Sequence, residues 1–243
     1  VEAGIRSGDL TMPEELNRIL TDAICDTFFT TSVTASENLM AFSRSEESVH
    51  FVGNTMIDTL LFHLKDIKKP DCWDRLQLEE KNYLLLTLHR PSNVDDPIKL
   101  QALLTEIAIL TPATQVVFPV HPRTLHCIET NSIHTYSIQL IPAQPYLEFI
   151  YLVKHAKGII TDSGGITEEA TVLNVPCITM RNTTERPETV THGTNVLVGD
   201  DMELLAAKLD DLHKGIWKSN LVPALWDGQS AERIVNILLC NRA

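Results

Sequence analysis

The stretch GIITDSGGITEEATVLNVPCITM, residues 158–180, decides how the chain is read. An apolar run of strand length stops at Asp162. A corner of Ser163, Gly164 and Gly165 follows, then a helical pattern carrying Glu168 and Glu169, then a second apolar run from Pro176. A strand, a tight corner, a helix and another strand make one crossover unit of a parallel sheet. In such sheets ligands collect at the carboxyl ends of the strands, which is where the corner lies.

Working outward, the same alternation recurs. Apolar runs at YLLLTLH, QVVFPVH, YSIQLI, GIITD, PCITM and TNVLV alternate with helical patterns such as PIKLQALLTEIAIL, PYLEFIYLVKHA and MELLAAKLDDLHK, from residue 83 to 214. The runs lack polar alternation, as expected of strands covered on both faces. The fold class is therefore α/β with parallel strands. Residues 1–52 offer less: one helix, PEELNRILTDAIC, with Pro13 and two glutamates in its first turn, and two short strands around a short helix. This reads as the later part of a domain whose beginning is absent. The expected organisation is the end of an N-terminal Rossmann-like domain over 1–67, a second Rossmann-like domain over 68–225, and a helix over 226–243 that packs back on the first. That last helix carries Ile234, Val235 and Leu238 on one face.

The bulk composition narrows the partners. The 243 residues are 44% hydrophobic and 21% charged, with a net charge of −12. So acidic a surface argues against nucleic acid, which needs a basic footprint. No apolar run approaches the roughly 20 residues that span a bilayer. The start, VEAGIRSGDL, lacks a basic region followed by an apolar one, and a chain opening on Val1 rather than Met suggests a fragment. The five cysteines have no zinc or redox spacing, which points to reduced thiols in a cytoplasmic protein.

Four constellations carry candidate chemistry. At the Ser163 corner, free amides at a helix start favour an anion, and two glycines let a phosphate approach. A plain Ser N-cap on a glycine-rich turn is the competing reading. A nucleophile elbow does not fit, because Thr161 stands where the upstream Gly is needed. Glu169, one to two turns into the helix, would repel phosphate but suits a pair of ribose hydroxyls. The second constellation, MRNTTERPETVTHGT, offers Arg181 and Arg186 for a diphosphate, or a solvated loop in which they pair with Glu185 and Glu188. The third places His89 and Arg90 at one strand end and His121 at the next. A metal role there lacks a third ligand at convincing spacing. The fourth is Glu2 with Glu14, read either as helix-start and loop acids or as paired carboxylates for acid/base work.

Together VEAGIRSGD, MPEELNRILTD, VGNTMIDTLL, TLHRPSN, FPVHPRT, ITDSGGITEEATVLNVPCITMRNTTERPETVTHGTNVLVG and DGQSAERI resemble the non-hydrolysing UDP-N-acetylglucosamine 2-epimerases, in order and over the whole chain. The resemblance implies the two-domain GT-B architecture, with the N-terminal domain truncated, and interconversion of UDP-GlcNAc and UDP-ManNAc. The route it implies is elimination of UDP to 2-acetamidoglucal and re-addition after proton exchange at C2, with no nicotinamide or metal required. By the same resemblance Ser163, Gly164 and Gly165 hold the diphosphate, Glu169 the ribose, Arg186 a phosphate, and Gln144 and Phe149 the uracil. His89, Glu2 and Glu14 are the implied catalytic residues. Arg90 and His121 match a second, regulatory UDP-GlcNAc site, although Ser92 stands where the family commonly has Glu. A homodimer, a role in polysaccharide biosynthesis and impaired activity of a truncated chain are also implied. A GT-B glycosyltransferase and a non-catalytic UDP-sugar-binding remnant are the alternatives.

Overall fold

The computed structural model describes residues 1–42 and 44–240. The chain divides into two compact units. One comprises residues 1–65, 183–193 and the described residues from 221 onward; the other comprises residues 66–182 and 194–220. Two stretches expected in the second domain, 183–193 and 221–225, thus belong with the first unit.

The first unit opens with α1 (Pro13–Ile24), β1 (Phe28–Thr30), α2 (Val33–Ala41), β2 (Val49–Phe51) and α3 (Thr55–His63). β1 and β2 pair in parallel, Phe28 opposite Val49, with α2 as the crossover between them. The chain before α1 is tied to β1, because the Ala3 amide donates to the Phe29 carbonyl at 3.1 Å. Gly4 next to it has φ +75°, and a Cβ there would meet the Ala35 carbonyl oxygen at 2.0 Å. No other residue type fits that approach.

α1 is amphipathic in an inverted sense. Its buried residues are Glu15 and Asp22, while Leu16, Leu20 and Ile24 are exposed. The carboxylates are buried because they have donors. Glu15 accepts from the Ser7 and Gly8 amides and the Ser7 hydroxyl, and Asp22 from the Gly4 amide and the Arg6 guanidinium. Paired in this way, a buried carboxylate is tolerated.

The second unit holds α4 (Asp71–Arg75), β3 (Tyr83–Thr87), α5 (Pro91–Val94), α6 (Pro97–Leu110), β4 (Gln115–Val120), α7 (Pro122–Thr130), β5 (Ile138–Pro142), α8 (Tyr146–His155), β6 (Gly158–Thr161), α9 (Gly164–Val172) and β7 (Cys177–Thr179). α10 (Pro187–Thr191) lies in the first unit; β8 (Asn195–Leu197) and α11 (Met202–His213) return to the second, and α12 (Ser230–Cys240) is in the first. All strands from β3 to β8 pair in parallel, in the order β5-β4-β3-β6-β7-β8. The chain runs outward from β3 on one side, then crosses over to build the other side from β6. The order reverses between β3 and β6, and there the two following loops diverge and leave a crevice.

β3 shows why the sheet is covered on both faces. Its side chains alternate, so Leu84 and Leu86 enter one core with α6 residues Leu100, Leu103, Leu104 and Ile107. Tyr83 and Leu85 enter the other with α8 residues Leu152 and Val153. Each fully buried Leu contributes about 1.5–3 kcal/mol. Asp96 starts α6 by accepting from the Ile98 and Lys99 amides ahead of the helix-compatible Pro97.

α12 belongs to the first unit and buries Ile234 against Phe29 and Val52. Val235 and Leu238, expected on the same face, are exposed. The Asp58 carboxylate caps this helix, accepting from the Ser230 and Ala231 amides.

Leu86→Ala removes a side chain with no exposed surface from the central strand of the larger sheet. It is expected to cost about 2–5 kcal/mol, read as a lower denaturation midpoint with little change in slope.

Candidate functional site

The reversal point of the sheet carries a dense polar cluster. β3 leads to His89 and Arg90, and β6 leads to Asp162 and Ser163. The Asp162 side chain is fully buried, and its carboxylate accepts from the His89 amide at 3.1 Å, the Arg90 amide at 2.9 Å and Asn93 Nδ2 at 3.0 Å. His89 Nδ1 lies 2.8 Å from Asp162 Oδ1. Burial pushes the Asp162 carboxyl up, but the hydrogen bonds from His89, Arg90 and Asn93 outweigh it and hold the group below the usual carboxylate range. Arg90 returns the tie, its Nε donating to the Asp162 carbonyl. The strands themselves are bound at this edge by a 2.6 Å hydrogen bond between the Thr87 and Thr161 hydroxyls.

α9 begins at the corner. Ser163 is its N-cap residue, yet its side chain makes no capping hydrogen bond, and its amide donates to Thr161 Oγ1. The plain side-chain N-cap is therefore not what this corner does. The first-turn amides, those of Gly164 and Gly165 among them, have no partner within the helix. They lie at the positive end of the helix dipole.

Glu169 follows on the same helix and is buried. Tyr146, the first residue of α8, donates its hydroxyl to Glu169 Oε1 at 3.1 Å. Burial raises the Glu169 carboxyl, the Tyr146 hydrogen bond lowers it, and the neighbouring Glu168 raises it again; the balance sits at about 7. Burial and the adjacent Glu169 carboxyl hold the Tyr146 hydroxyl above its ordinary range.

A cleft of about 180 Å³ opens at the same sheet edge. Gln144 and Phe149 line it, and so do His89 and His121, with Leu88 and Pro119 as apolar wall. The sequence assigned His121 to a separate site from Gln144 and Phe149; the fold sets all of them around one cleft. His121 also caps α7, its Nδ1 accepting from the Arg123 amide. Arg181 is buried just beyond β7.

The remaining candidates lie on the first unit. Glu2 is half-buried, has a left-handed backbone at φ +56°, and its Oε2 lies 3.7 Å from an Arg186 guanidinium nitrogen. Arg181 and Arg186, expected to act together, thus sit on different units. Glu14 is exposed in the first turn of α1, and the acid next to it, Glu15, is the buried one. Burial pushes the Glu15 carboxyl up, but donors from Ser7 and Gly8 together with Arg18 bring it below the ordinary range. Among the described residues no cluster of three His, Cys, Asp or Glu is placed to hold a metal ion.

Asp162 and Tyr146 are site residues that sequence reading missed. Asp162 was legible only as the end of an apolar run. A carboxylate closing a strand at the ligand edge, with a His closing a neighbouring strand, was the available signal. Tyr146 stands beside Gln144 and Phe149 in AQPYLEF, but its partner lies 23 positions away in sequence.

Residues 1–239 match the family model described as UDP-N-acetylglucosamine 2-epimerase. A UDP-N-acetylglucosamine 2-epimerase of Methanocaldococcus jannaschii is 40% identical over 250 residues, covering 98% of this chain and 67% of that protein. The crystal structure of the enzyme from that organism in complex with UDP-GlcNAc and UDP superposes with a TM-score of 0.87 at 39% identity, covering 98% of this chain and 68% of that one. A UDP-2,3-diacetamido-2,3-dideoxy-D-glucuronate 2-epimerase of Pseudomonas aeruginosa is 39% identical over 211 residues, covering 84% of this chain and 57% of its own length. The likeness extends over nearly the whole chain and both α/β units. The chain has a GT-B-like fold and belongs to the UDP-N-acetylglucosamine 2-epimerase family.

Proposed function

We propose that this chain binds a UDP-sugar at the reversal point of the larger sheet and takes part in interconverting UDP-GlcNAc and UDP-ManNAc. One juxtaposition carries the reading: an α9 start free of a side-chain cap, a buried carboxylate at Glu169 on the same helix, and His89 on the adjoining loop. Anion, vicinal hydroxyls and proton donor are the demands a nucleoside diphosphate makes when it leaves a sugar.

In this reading the Ser163, Gly164 and Gly165 corner and Arg181 hold the diphosphate, with Arg186 as a further cation. The Glu169 carboxylate accepts from the ribose hydroxyls, and the Gln144 and Phe149 cleft takes the uracil. Glu2 and Glu14 serve the proton transfers at C2. Loss of the C2 proton with the C1–O electron pair departing on UDP leaves a C1–C2 double bond. Return of UDP to C1 and of a proton to the other face of C2 completes the epimerisation. A stabilised leaving group lowers the barrier of the first step. Arg90 and His121 are the candidates for a second UDP-GlcNAc. The reading includes a homodimer, as the family resemblance implies. It also includes a cytoplasmic location, supported by five free cysteines.

Incubation with UDP-GlcNAc in D2O tests the reaction. UDP-ManNAc bearing deuterium at C2 is the expected product. Tight UDP binding with protium retained at C2 throughout would leave a binding protein or a transferase instead.

Glu169→Ala is expected to weaken UDP binding by about tenfold or more, because hydrogen bonds to a charged group are lost, with the fold retained by circular dichroism. The pH dependence follows from the raised carboxyl. Ribose hydroxyls donate to the ionised form, and below about pH 7 Glu169 carries a proton. UDP-GlcNAc, whose diphosphate diester does not titrate in this range, should therefore bind more weakly as pH falls through 7. The decline approaches about tenfold per pH unit. Glu169→Gln should bind weakly at every pH with no such slope. Equilibrium binding at pH 6, 7 and 8 decides this.

A further inference from the structure

We propose that Asp162 is a positioning residue that fixes the tautomer of His89, so that the imidazole offers Nε2 to the departing diphosphate. The inference rests on the UDP-sugar reading of the site and names the group that makes its histidine competent.

The donor set around Asp162 leaves little freedom. The His89 and Arg90 backbone amides donate hydrogens and have no lone pair to offer, and Asn93 turns its Nδ2 toward the carboxylate. An ionised carboxylate accepts and does not donate. His89 Nδ1, 2.8 Å from Oδ1, is the ring atom that can present either a hydrogen or a lone pair. A lone pair facing a buried anion is repulsive, so the neutral imidazole carries its hydrogen on Nδ1. Nε2 is then the acceptor in neutral His89 and the donor in the imidazolium.

Geometry and exposure agree with this division of roles. The His89 side chain is half exposed, whereas that of Asp162 has no exposed surface. Asp162 therefore acts through His89 and touches no substrate itself. Its low folded-state carboxyl keeps it ionised wherever the enzyme works. An ionised partner stabilises the imidazolium, whose Nε2–H is given to a leaving-group oxygen and regained when UDP returns. The histidine cycles between imidazolium and the Nδ1–H form without turning over. The carboxylate also holds the backbone of residues 89 and 90, so ring orientation and tautomer have a common origin.

The decisive measurement is made on the wild-type protein. A long-range proton–nitrogen NMR spectrum of the wild-type protein, with the His89 signals identified by their loss in His89→Gln, reports which ring nitrogen carries hydrogen. With the ring neutral, Nδ1 protonated and Nε2 unprotonated is expected. The reverse tautomer overturns the proposal, whether or not the protein epimerises anything. Asp162→Asn supplies the functional arm. Its amide group can turn an N–H toward His89 Nδ1, which forces the hydrogen onto Nε2. The expected result is a reversed tautomer and a kcat lower by about 100-fold or more, with KM changed less than about threefold. Combined with His89→Gln it should lower kcat no further than the worse single change. An Asp162→Asn protein with wild-type kcat, or with losses that multiply with those of His89→Gln, overturns the proposal. If the wild type shows no turnover while the tautomer is as expected, the epimerase reading fails and the positioning of His89 stands.

Discussion

A carboxylate with no exposed surface exists in a fold only if donors meet it, and Asp162 is where the second unit meets that requirement. Four donor groups from the loop after β3 converge on a side chain from the loop after β6. The two loops that diverge at the reversal of the sheet are thereby joined again at their roots. Everything placed by those loops depends on it: the His89 ring, the turn into α5 and the corner that starts α9. An apolar residue at 162 would take this acceptor from the His89 and Arg90 amides and from the buried Asn93 side chain, at a cost of about 1–3 kcal/mol for each donor that water does not reach.

Two buried carboxylates close together in the chain have opposite character, and the difference is a matter of donors. Asp162 has four and stays ionised. Glu169 has one hydrogen bond, from Tyr146, and a like charge beside it at Glu168, and its proton is held to about pH 7. A site built to accept hydroxyls from a ligand cannot satisfy its acceptor in advance. In the proposed reading the under-served carboxylate is the one left for the ligand, and the saturated one holds the structure around it.

The larger sheet was legible because its strands report themselves locally. YLLLT, QVVFPV and GIIT are short apolar runs, each followed by a helix with its own start signal, such as Asp96 before Pro97. The corner at 163–165 was legible for the same reason, since glycines and a following helix are adjacent in sequence. What escaped depends on partners far apart in the chain. Asp162 meets its donors across some 70 positions, and nothing near it in sequence announces them. Residues 183–193 read as a loop of the second domain because they follow β7, yet their contacts lie with residues 1–65. The apolar face of α12 includes Ile234, Val235 and Leu238 in sequence, but among these only Ile234 is buried against Phe29 and Val52, and Ile237 packs beside it instead. α1 inverts the usual reading of an amphipathic helix, since its buried side is the one where loop amides await carboxylates.

The discontinuity of the first unit has a consequence for the order of events during synthesis. The larger unit runs from residue 66 to 220 with one short detour, residues 183–193, whereas the first gathers residues 1–65, that detour and the described residues from 221 onward. Trp226 reaches back to the Thr31 carbonyl, and Asp58 waits for the amides of Ser230 and Ala231. On a ribosome residues 1–65 would therefore be made well before the partners that settle them. Their strands would stand without these contacts while the sheet of the second unit closes. Contacts of such long sequence separation form slowly. Vectorial synthesis would here leave residues 1–65 in need of protection until the residues from 221 onward have been made.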